Sequence, residues 1–518
     1  RSGKHALLPD EYYTMMVPAL LRKEAGTMSA STRSELALLG HVYRTSEKFG
    51  SFVTGLFDRM IPQSQNEALK HKSLDDLLEE LGFDQEQHDR IRKDLKSGRI
   101  GLAKNRLPVN TIIEDVDKAE ISLQEDLNTE ELIDIGSESI KRGELAIVTL
   151  AGGVGSRWTK GAGVVKSLNP FVRFEGKHRN FLEVHLAKTR KTENQFSVPL
   201  QHVFTTSYLT HSAIADFINE SPGNGSRSRV YVSPGKVIGL RLVPTERDLR
   251  FMWEEMPQQQ LDEQAQKLRE SLRGALIGWS KSAGEAEDYR DNLPSQCIHP
   301  VGHWYEIPNL FLNGTLKQVI DDNPSVKYLL VHNIDTLGAS ADPSILGFHI
   351  KKGKTMSAEV ITRRLEDHGG GLGKINGRLR LIEGMALPNE RQEFSLSYYN
   401  TNTFWISIDR LLSIFGLTRA GLADQVKVKQ AVYRIASLMP SYITIKDVKK
   451  RWGKGQEDVF PVTQFEKLWG DMTILPDITC SYIRVARNRG QQLKEVAQLD
   501  GWLRDGSKDY IEDLCCWE

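Results

Sequence analysis

The chain has 518 residues, beyond the size at which one hydrophobic core keeps growing, so two or three domains are expected. Lysine plus arginine and aspartate plus glutamate both number 68, which argues against a nucleic-acid or anionic-membrane partner and confines any anion site to a local cluster. The 39% hydrophobic and 26% charged fractions are those of a soluble globular protein, and no apolar run approaches the ~20 residues that cross a bilayer. The 4 cysteines (Cys297, Cys480, Cys515 and Cys516) contain no C-x-x-C pair and make no disulfide framework, which fits a reducing compartment. A cytoplasmic location is expected, or the plastid stroma if a targeting segment preceding Arg1 has been removed.

Residues 1–140 read as a mostly helical N-terminal domain without chemistry of its own. Ser73-Leu-Asp-Asp76 has the form of a capping box, Leu74, Leu77, Leu78 and Leu81 follow at helical spacing, and Gly82 is placed to stop the helix. The texture changes near residue 145. Leu145–Leu150 is a short apolar run ending in glycines, as a buried parallel strand would, and similar runs recur at Gln201–Thr205 and Lys327–Val331. Helix-like stretches such as Phe181–Lys191 lie between them, so residues 141–420 predict a sheet covered on both faces. Leu261, Ala265, Leu268, Leu272, Leu276 and Trp279 recur at steps of three and four, a stripe that predicts core packing. Beyond residue 420 the alternation weakens into a small C-terminal domain, 421–518.

The strongest chemical signal is Leu150-Ala-Gly-Gly-Val-Gly-Ser-Arg157, followed by Lys166. Glycines let the backbone turn tightly and approach a ligand, exposed N–H groups form an anion site, and Arg157 and Lys166 add charge for phosphate oxygens. Val165 stands where a Walker A loop needs its last glycine, and Trp158 where a dinucleotide fingerprint needs its third. A purely structural glycine turn stays open. The stretch GGVGSRWTKGAGVVKSL resembles the signature loop of the UDP-sugar pyrophosphorylases, in particular the UTP–glucose-1-phosphate uridylyltransferases. That resemblance puts Gly152 and Gly153 along the nucleotide and gives Arg157 and Lys166 the phosphates.

Asp335 in His332-Asn-Ile-Asp335 follows an apolar run, where α/β sheets bind ligands, and could hold Mg²⁺ or merely cap a turn. The stretch is similar to the family's Asn-Ile-Asp-Asn-Leu-Gly-Ala motif, which implies a metal role for Asp335 with Asn333 beside it. His299 and His303 have an H-x-x-x-H spacing, but Pro300 and Gly302 oppose the helix that zinc binding would need. Gly302 and His303 instead resemble the family's Gly-His-Gly-Asp loop against the base, with Trp304 and Tyr305 replacing its last two residues. Gly369 to Glu383 follows the family's Gly-Gly…Gly-Lys…Leu-x-Glu pattern. That implies sugar contacts from Gly370 and Glu383, while an Asn376-Gly377 hairpin explains the stretch equally well. Asn400-Thr-Asn402 looks like the motif whose amides meet the sugar, and on its own it also reads as a turn. Two family features are missing: Pro461-Val-Thr463 stands for Pro-Val-Lys, and Ser233-Pro-Gly-Lys236 stands near where a uracil-reading glutamine is expected.

The resemblance spans residues 140–470, with a finer likeness to the divergent plastid-type enzymes and their bacterial relatives. It implies a three-layer, Rossmann-like α/β nucleotidyltransferase core that joins UTP and a sugar 1-phosphate with Mg²⁺ and needs no covalent intermediate. Glucose 1-phosphate is the expected sugar. The alternatives are a pyrophosphorylase for another sugar 1-phosphate and a non-catalytic nucleotide-sugar-binding protein, the latter favoured by Thr463, Trp304 and Tyr305.

Overall fold

A computed structural model describes residues 72–517 apart from 154, 156–164, 221–228, 256–262, 365–366, 368, 389, 452–456 and 495. In chain order its principal strands are β1 (Ile113–Glu114), β2 (Ser122–Leu123), β3 (Leu145–Leu150), β4 (Gln201–Thr206), β5 (Arg229–Pro234), β6 (Tyr328–Asn333) and β7 (Met356–Thr362). These are followed by β8 (Gly371–Ile375), β9 (Arg378–Ile382), β10 (Tyr398–Ser407), β11 (Tyr442–Arg451), β12 (Glu457–Glu466) and β13 (Cys480–Arg484). One 11-stranded sheet runs β2-β13-β7-β10-β6-β3-β4-β5, with β8, β9 and β1 attached beside β10. Along the main path β10 alone runs against its neighbours.

The predicted runs at 145, 201 and 327 are β3, β4 and β6, and every residue of β3 and β4 is buried. Alternation explains how both faces are covered. Ala146, Val148 and Leu150 pack in one cluster with Leu310, Phe311 and Val432, while Leu145 and Ile147 pack on the other face with Ile140, Leu346 and Trp405. On that second face the helices Glu130–Lys141 and Pro343–Lys352 touch backbone to backbone. A Cβ on Gly136 would lie 1.9 Å from Pro343 O, and one on Gly347 1.9 Å from Leu132 O. The predicted helix at Phe181 starts on an Asn180 capping box and continues to Phe196. The Ser73 capping box is present as expected, and Gly82 ends its helix with φ 70°.

Described stretches from both the N-terminal and the C-terminal parts of the chain join this sheet. β1 pairs with β8 and β2 with β13, so a helical reading of residues 72–140 misses two short strands whose partners lie far away in sequence. β13 itself lies between β7 and β2, and the sheet therefore runs across the expected boundaries at 140 and 420.

The stripe of helix Glu263–Ala283 departs from expectation. Trp279 packs on Phe460 (ring centroids 5.0 Å apart), but Leu272 stays 51% exposed, because the helix lies at the periphery beside the β11–β12 hairpin and not on the sheet. Leu261 lies outside the described residues. Among the described residues no helix is long and apolar enough to cross a membrane.

The glycine contact between helices gives a test of the fold. Gly136→Ala raises helix propensity but forces a Cβ into the Pro343 carbonyl, so unfolding free energy by denaturant titration should fall by about 1–3 kcal/mol.

Candidate active-site cleft

The last residue of β3, Leu150, is paired with the last residue of β6, Asn333. From β3 the chain proceeds to β4 and β5 on one side, while β6 lies on the other, which makes this pair the topological switch point. Open α/β sheets bind ligands there, beyond the carboxyl ends of the strands. A cleft of about 640 Å³ opens at that place.

Nine of the expected residues line it: Gly153, Lys166, His303, Asn333, Asp335, Gly370, Glu383, Asn400 and Asn402. Gly152 lies just behind, its carbonyl accepting from Ser207 Oγ at 2.7 Å, and Gly302 supports His303 from the rear. Arg157 lies outside the described residues.

The glycine turn serves Lys166 as much as any ligand. Gly155 has φ +71°, and a Cβ there would sit 2.3 Å from Lys166 Cβ, so the turn closes on the lysine stem. Lys166 Nζ donates to Asp335 Oδ2 at 2.8 Å, with side chains only 7% and 14% exposed. Burial alone would raise the Asp335 carboxyl. Lys166, through its charge and its hydrogen bond, with Lys494 and His303 nearby, holds it below the usual range. Asp335 Oδ1 is buried without a hydrogen-bond partner.

Lys494 is a residue the sequence reading missed. Its Nζ donates to Tyr399 OH at 2.6 Å and lies 5.3 Å from that ring's centre, inside the cleft. The ammonium sought at position 463 is absent there for a plain reason: Thr463 is wholly buried, opposite Ile445 in the β11–β12 hairpin and bridged to Leu242. Lys494 follows β13 in a stretch with no glycine pattern or periodicity around it, so only the tertiary structure reveals it. Lys446 on β11 also lines the cleft.

His299 and His303 do not converge. The His299 ring is buried against Phe465 and pushed down to about 3, first by burial and then by Arg241, so it is neutral. His303 opens to the cleft, and Gly302 (φ +98°) makes this possible, because a Cβ there would meet Lys467 O at 2.4 Å. Burial would lower the His303 imidazole, but the Glu306 hydrogen bond and the charges of Glu306, Glu466 and Glu383 raise it to about 9. Trp304 and Tyr305 point into the core: Trp304 Nε1 donates to Met472 Sδ, and Tyr305 OH meets Gln87. The neighbour that faces the cleft is Glu306, which accepts from Thr205 and lies over Gly152.

The far wall is built by β8, β9 and β10. The Asn376-Gly377 hairpin forms as predicted, with both residues at positive φ, and it also delivers Gly370 and Glu383 to the cleft. Asn400-Thr-Asn402 is a β-bulge and not a turn: the β7–β10 register slips between Glu359 and Val360, and Asn402 takes φ 56°. The bulge turns Asn402 toward the switch point, where its Nδ2 donates to Asn333 Oδ1 at 2.7 Å. Burial, then the charge of the neighbouring Asp471, raises the Glu383 carboxyl. Ser233 lies off the cleft, accepting from Asn313.

No cluster of three or more His, Cys, Asp or Glu side chains among the described residues could hold a metal alone. A hard cation here would need ligand oxygens besides Asp335, and the orphaned Asp335 Oδ1 is an acceptor suited to it.

Sheet order and switch-point cleft define an α/β protein with a cleft between the loops following β3 and β6. Residues 286–435 match the family model described as UTP–glucose-1-phosphate uridylyltransferase. The Saccharomyces cerevisiae UTP–glucose-1-phosphate uridylyltransferase is 30% identical over 135 residues, 23% of this chain and 27% of that protein. The probable UTP–glucose-1-phosphate uridylyltransferase of Schizosaccharomyces pombe is 33% identical over 119 residues, 22% of this chain and 23% of that protein. The matched stretch thus spans about a quarter of the curated relatives' length. A Trypanosoma brucei UDP-glucose phosphorylase shares the fold with a TM-score of 0.55 at 15% identity, covering 84% of this chain and 79% of that one. A Leishmania major UDP-glucose pyrophosphorylase variant in complex with UDP-glucose does so with a TM-score of 0.53 at 17% identity, covering 82% and 77%. Residues 286–435 of the chain are thus similar to the UTP–glucose-1-phosphate uridylyltransferases, and the chain shares its fold with UDP-glucose pyrophosphorylases.

The His303–Glu306 pair can be tested without any ligand. By NMR titration the His303 imidazole should lose its proton near pH 9, being cationic at neutral pH, and Glu306→Gln should move that midpoint down toward the usual 6.5.

Proposed function

We propose that the chain is a uridylyltransferase that forms UDP-glucose and pyrophosphate from UTP and glucose 1-phosphate. The observation that carries this reading is the convergence of Lys166, Lys494 and His303 on the Asp335 side of a switch-point cleft, in a chain whose residues 286–435 match the uridylyltransferase family model. An oxygen of the sugar phosphate attacks the α-phosphorus of UTP in line, a P–O bond forms, and the bond to the β-phosphate breaks with pyrophosphate leaving. On this reading the ammonium groups and the imidazolium would face the phosphorus oxygens on which negative charge grows, and fixed charge acts most strongly on that state. Mg²⁺, held by Asp335 together with phosphate oxygens, would supply further neutralisation of the triphosphate. On this reading Asn400, Asn402, Gly370 and Glu383, which line the far wall, would receive the sugar hydroxyls, and the Gly152-Gly153 turn the nucleotide. The Leishmania major protein of the same fold binds UDP-glucose, which supports the substrate class.

Each of the three residues that favour the rival, a binding protein without turnover, has another account. Trp304 and Tyr305 are packed away from the cleft, and Lys494 supplies an ammonium that Thr463 does not. A pyrophosphate-release assay with Mg²⁺, four nucleotides and a panel of sugar 1-phosphates decides between them. UTP with glucose 1-phosphate should give the highest kcat/KM. UDP-glucose binding with no turnover of any pair would establish the rival.

Lys166→Ala should lower kcat by about 10²–10³, the usual cost of one positioned charge, while the protein stays folded by circular dichroism. Asp335→Asn should lose a similar factor and need more Mg²⁺, because the amide keeps the shape without the charge. Near wild-type kcat and Mg²⁺ dependence in that variant would mean that Asp335 only shapes its turn.

A further inference from the structure

Behind the cleft, residues 334–340 leave β6 and pass beneath the helix Phe181–Phe196 without regular structure. Backbone carbonyls buried there must find donors outside any ladder. For Ile334, Leu337, Ala339 and Ser340 those donors are side chains that never reach the cleft. His185 Nε2 lies 2.9 Å from Ile334 O, Lys188 Nζ donates to Leu337 O at 2.6 Å and also to Ala339 O, and Arg489 Nη2 donates to Ser340 O at 3.0 Å. Leu493 N donates to the carbonyl of Asp335 itself at 3.0 Å.

Lys188 is the unusual member. Its residue is 5% exposed, and no carboxylate lies within ion-pair distance of its Nζ among the described residues. Burial, with Arg489 adding repulsion against the attraction of Cys515 and Glu359, brings the amine down to about 7. Charged it offers three N–H groups and neutral two, so both carbonyls keep a donor in either state. Around it stand His185 on the same helix, His202 on β4 and His332 on β6, all held neutral, first by burial. A neutral His185 must carry its proton on Nε2 to serve Ile334 O, which leaves Nδ1 a bare acceptor, and that atom is buried without a partner.

We infer that Lys188, assisted by His185, is a positioning residue that pins the backbone of residues 334–339 and thereby sets the Asp335 carboxylate opposite Lys166. Its effect on turnover rests on the uridylyltransferase reading, whereas its effect on the segment does not.

Lys188→Met keeps the length of the side chain and removes every N–H. Hydrogen-exchange mass spectrometry should show the peptide covering 333–341 exchanging about tenfold faster or more, with peptides from β3 and β4 unchanged. In the pyrophosphate-release assay kcat should fall about 10–100-fold with KM for UTP nearly constant, since a small misplacement of Asp335 acts on the reacting state more than on binding. His185→Phe, which removes only the donor to Ile334, is the second variant and should loosen the same peptide by a smaller factor. Should the methionine variant not fold, this one decides by the same two measurements. Unchanged exchange of 333–341 overturns the inference. Acceleration spread evenly over the sheet overturns it too, because it marks a merely structural role, as does an unaltered kcat beside an active wild type. Local acceleration in a protein whose wild type turns over no pair supports the positioning role and refutes the uridylyltransferase reading alone.

Discussion

The parallel pairing of β3 with β6 is the constraint from which the cleft follows. Leu150 and Asn333 face each other at the last rung, and Ile334 N still donates to Leu150 O one residue beyond it. The two chains then part, one into the glycine turn that returns with Lys166, the other into the segment bearing Asp335. Their side chains meet because their strands ended on the same rung. A slip of one residue in this register would send Lys166 and Asp335 to different depths, and every buried residue of β3 to the wrong face.

Lys166 and Asp335 are both well shielded from water, and a buried ion pair repays its desolvation only with good geometry and further hydrogen bonds. Here one carboxylate oxygen has a partner and the other has none. The arrangement is therefore left incomplete at Oδ1, a buried acceptor with a lone pair to spare. The far wall carries opposite chemistry. Glu383 and Asp471 sit close together in a buried place; burial, then the charge of Asp471, raises the Glu383 carboxyl, and burial raises that of Asp471, so the carboxyls of this wall are less acidic than usual. One side of the cleft thus suits phosphate and the other suits hydroxyls.

Local patterns disclosed much of this. A six-residue apolar run ending in glycines can only be satisfied as a buried strand, which is why β3 was readable to the residue, and Asn376-Gly377 specified its hairpin through backbone chemistry alone. The tandem asparagines misled because a bulge and a turn use the same residues; only the β7–β10 register tells them apart. β1 and β2 were invisible because two-residue strands have no period, and their partners lie more than 250 residues away. Lys494 and Lys188 were invisible for a related reason. A lone lysine in a polar stretch or on a helix reads as solvent-facing, and nothing local records that one ends in a cleft and the other beneath it.

The residues at 304–306 show how a changed motif can keep its role. Two aromatic side chains where small and acidic residues were expected look at first like the loss of a loop. In three dimensions their bulk is absorbed by the core, where Trp304 stacks edge-on against Tyr305 and packs toward Phe415. Packing them there fixes the short helical turn from His303 to Tyr305, and that turn aims His303 and Glu306 together at the glycine loop. Glu306 then keeps the imidazole protonated at neutral pH, so the segment presents a cation to the cleft. What matters at the ligand is the charge delivered and its direction. Both can survive when the residues that anchor the loop are replaced, provided the replacements are large and apolar enough to bury themselves.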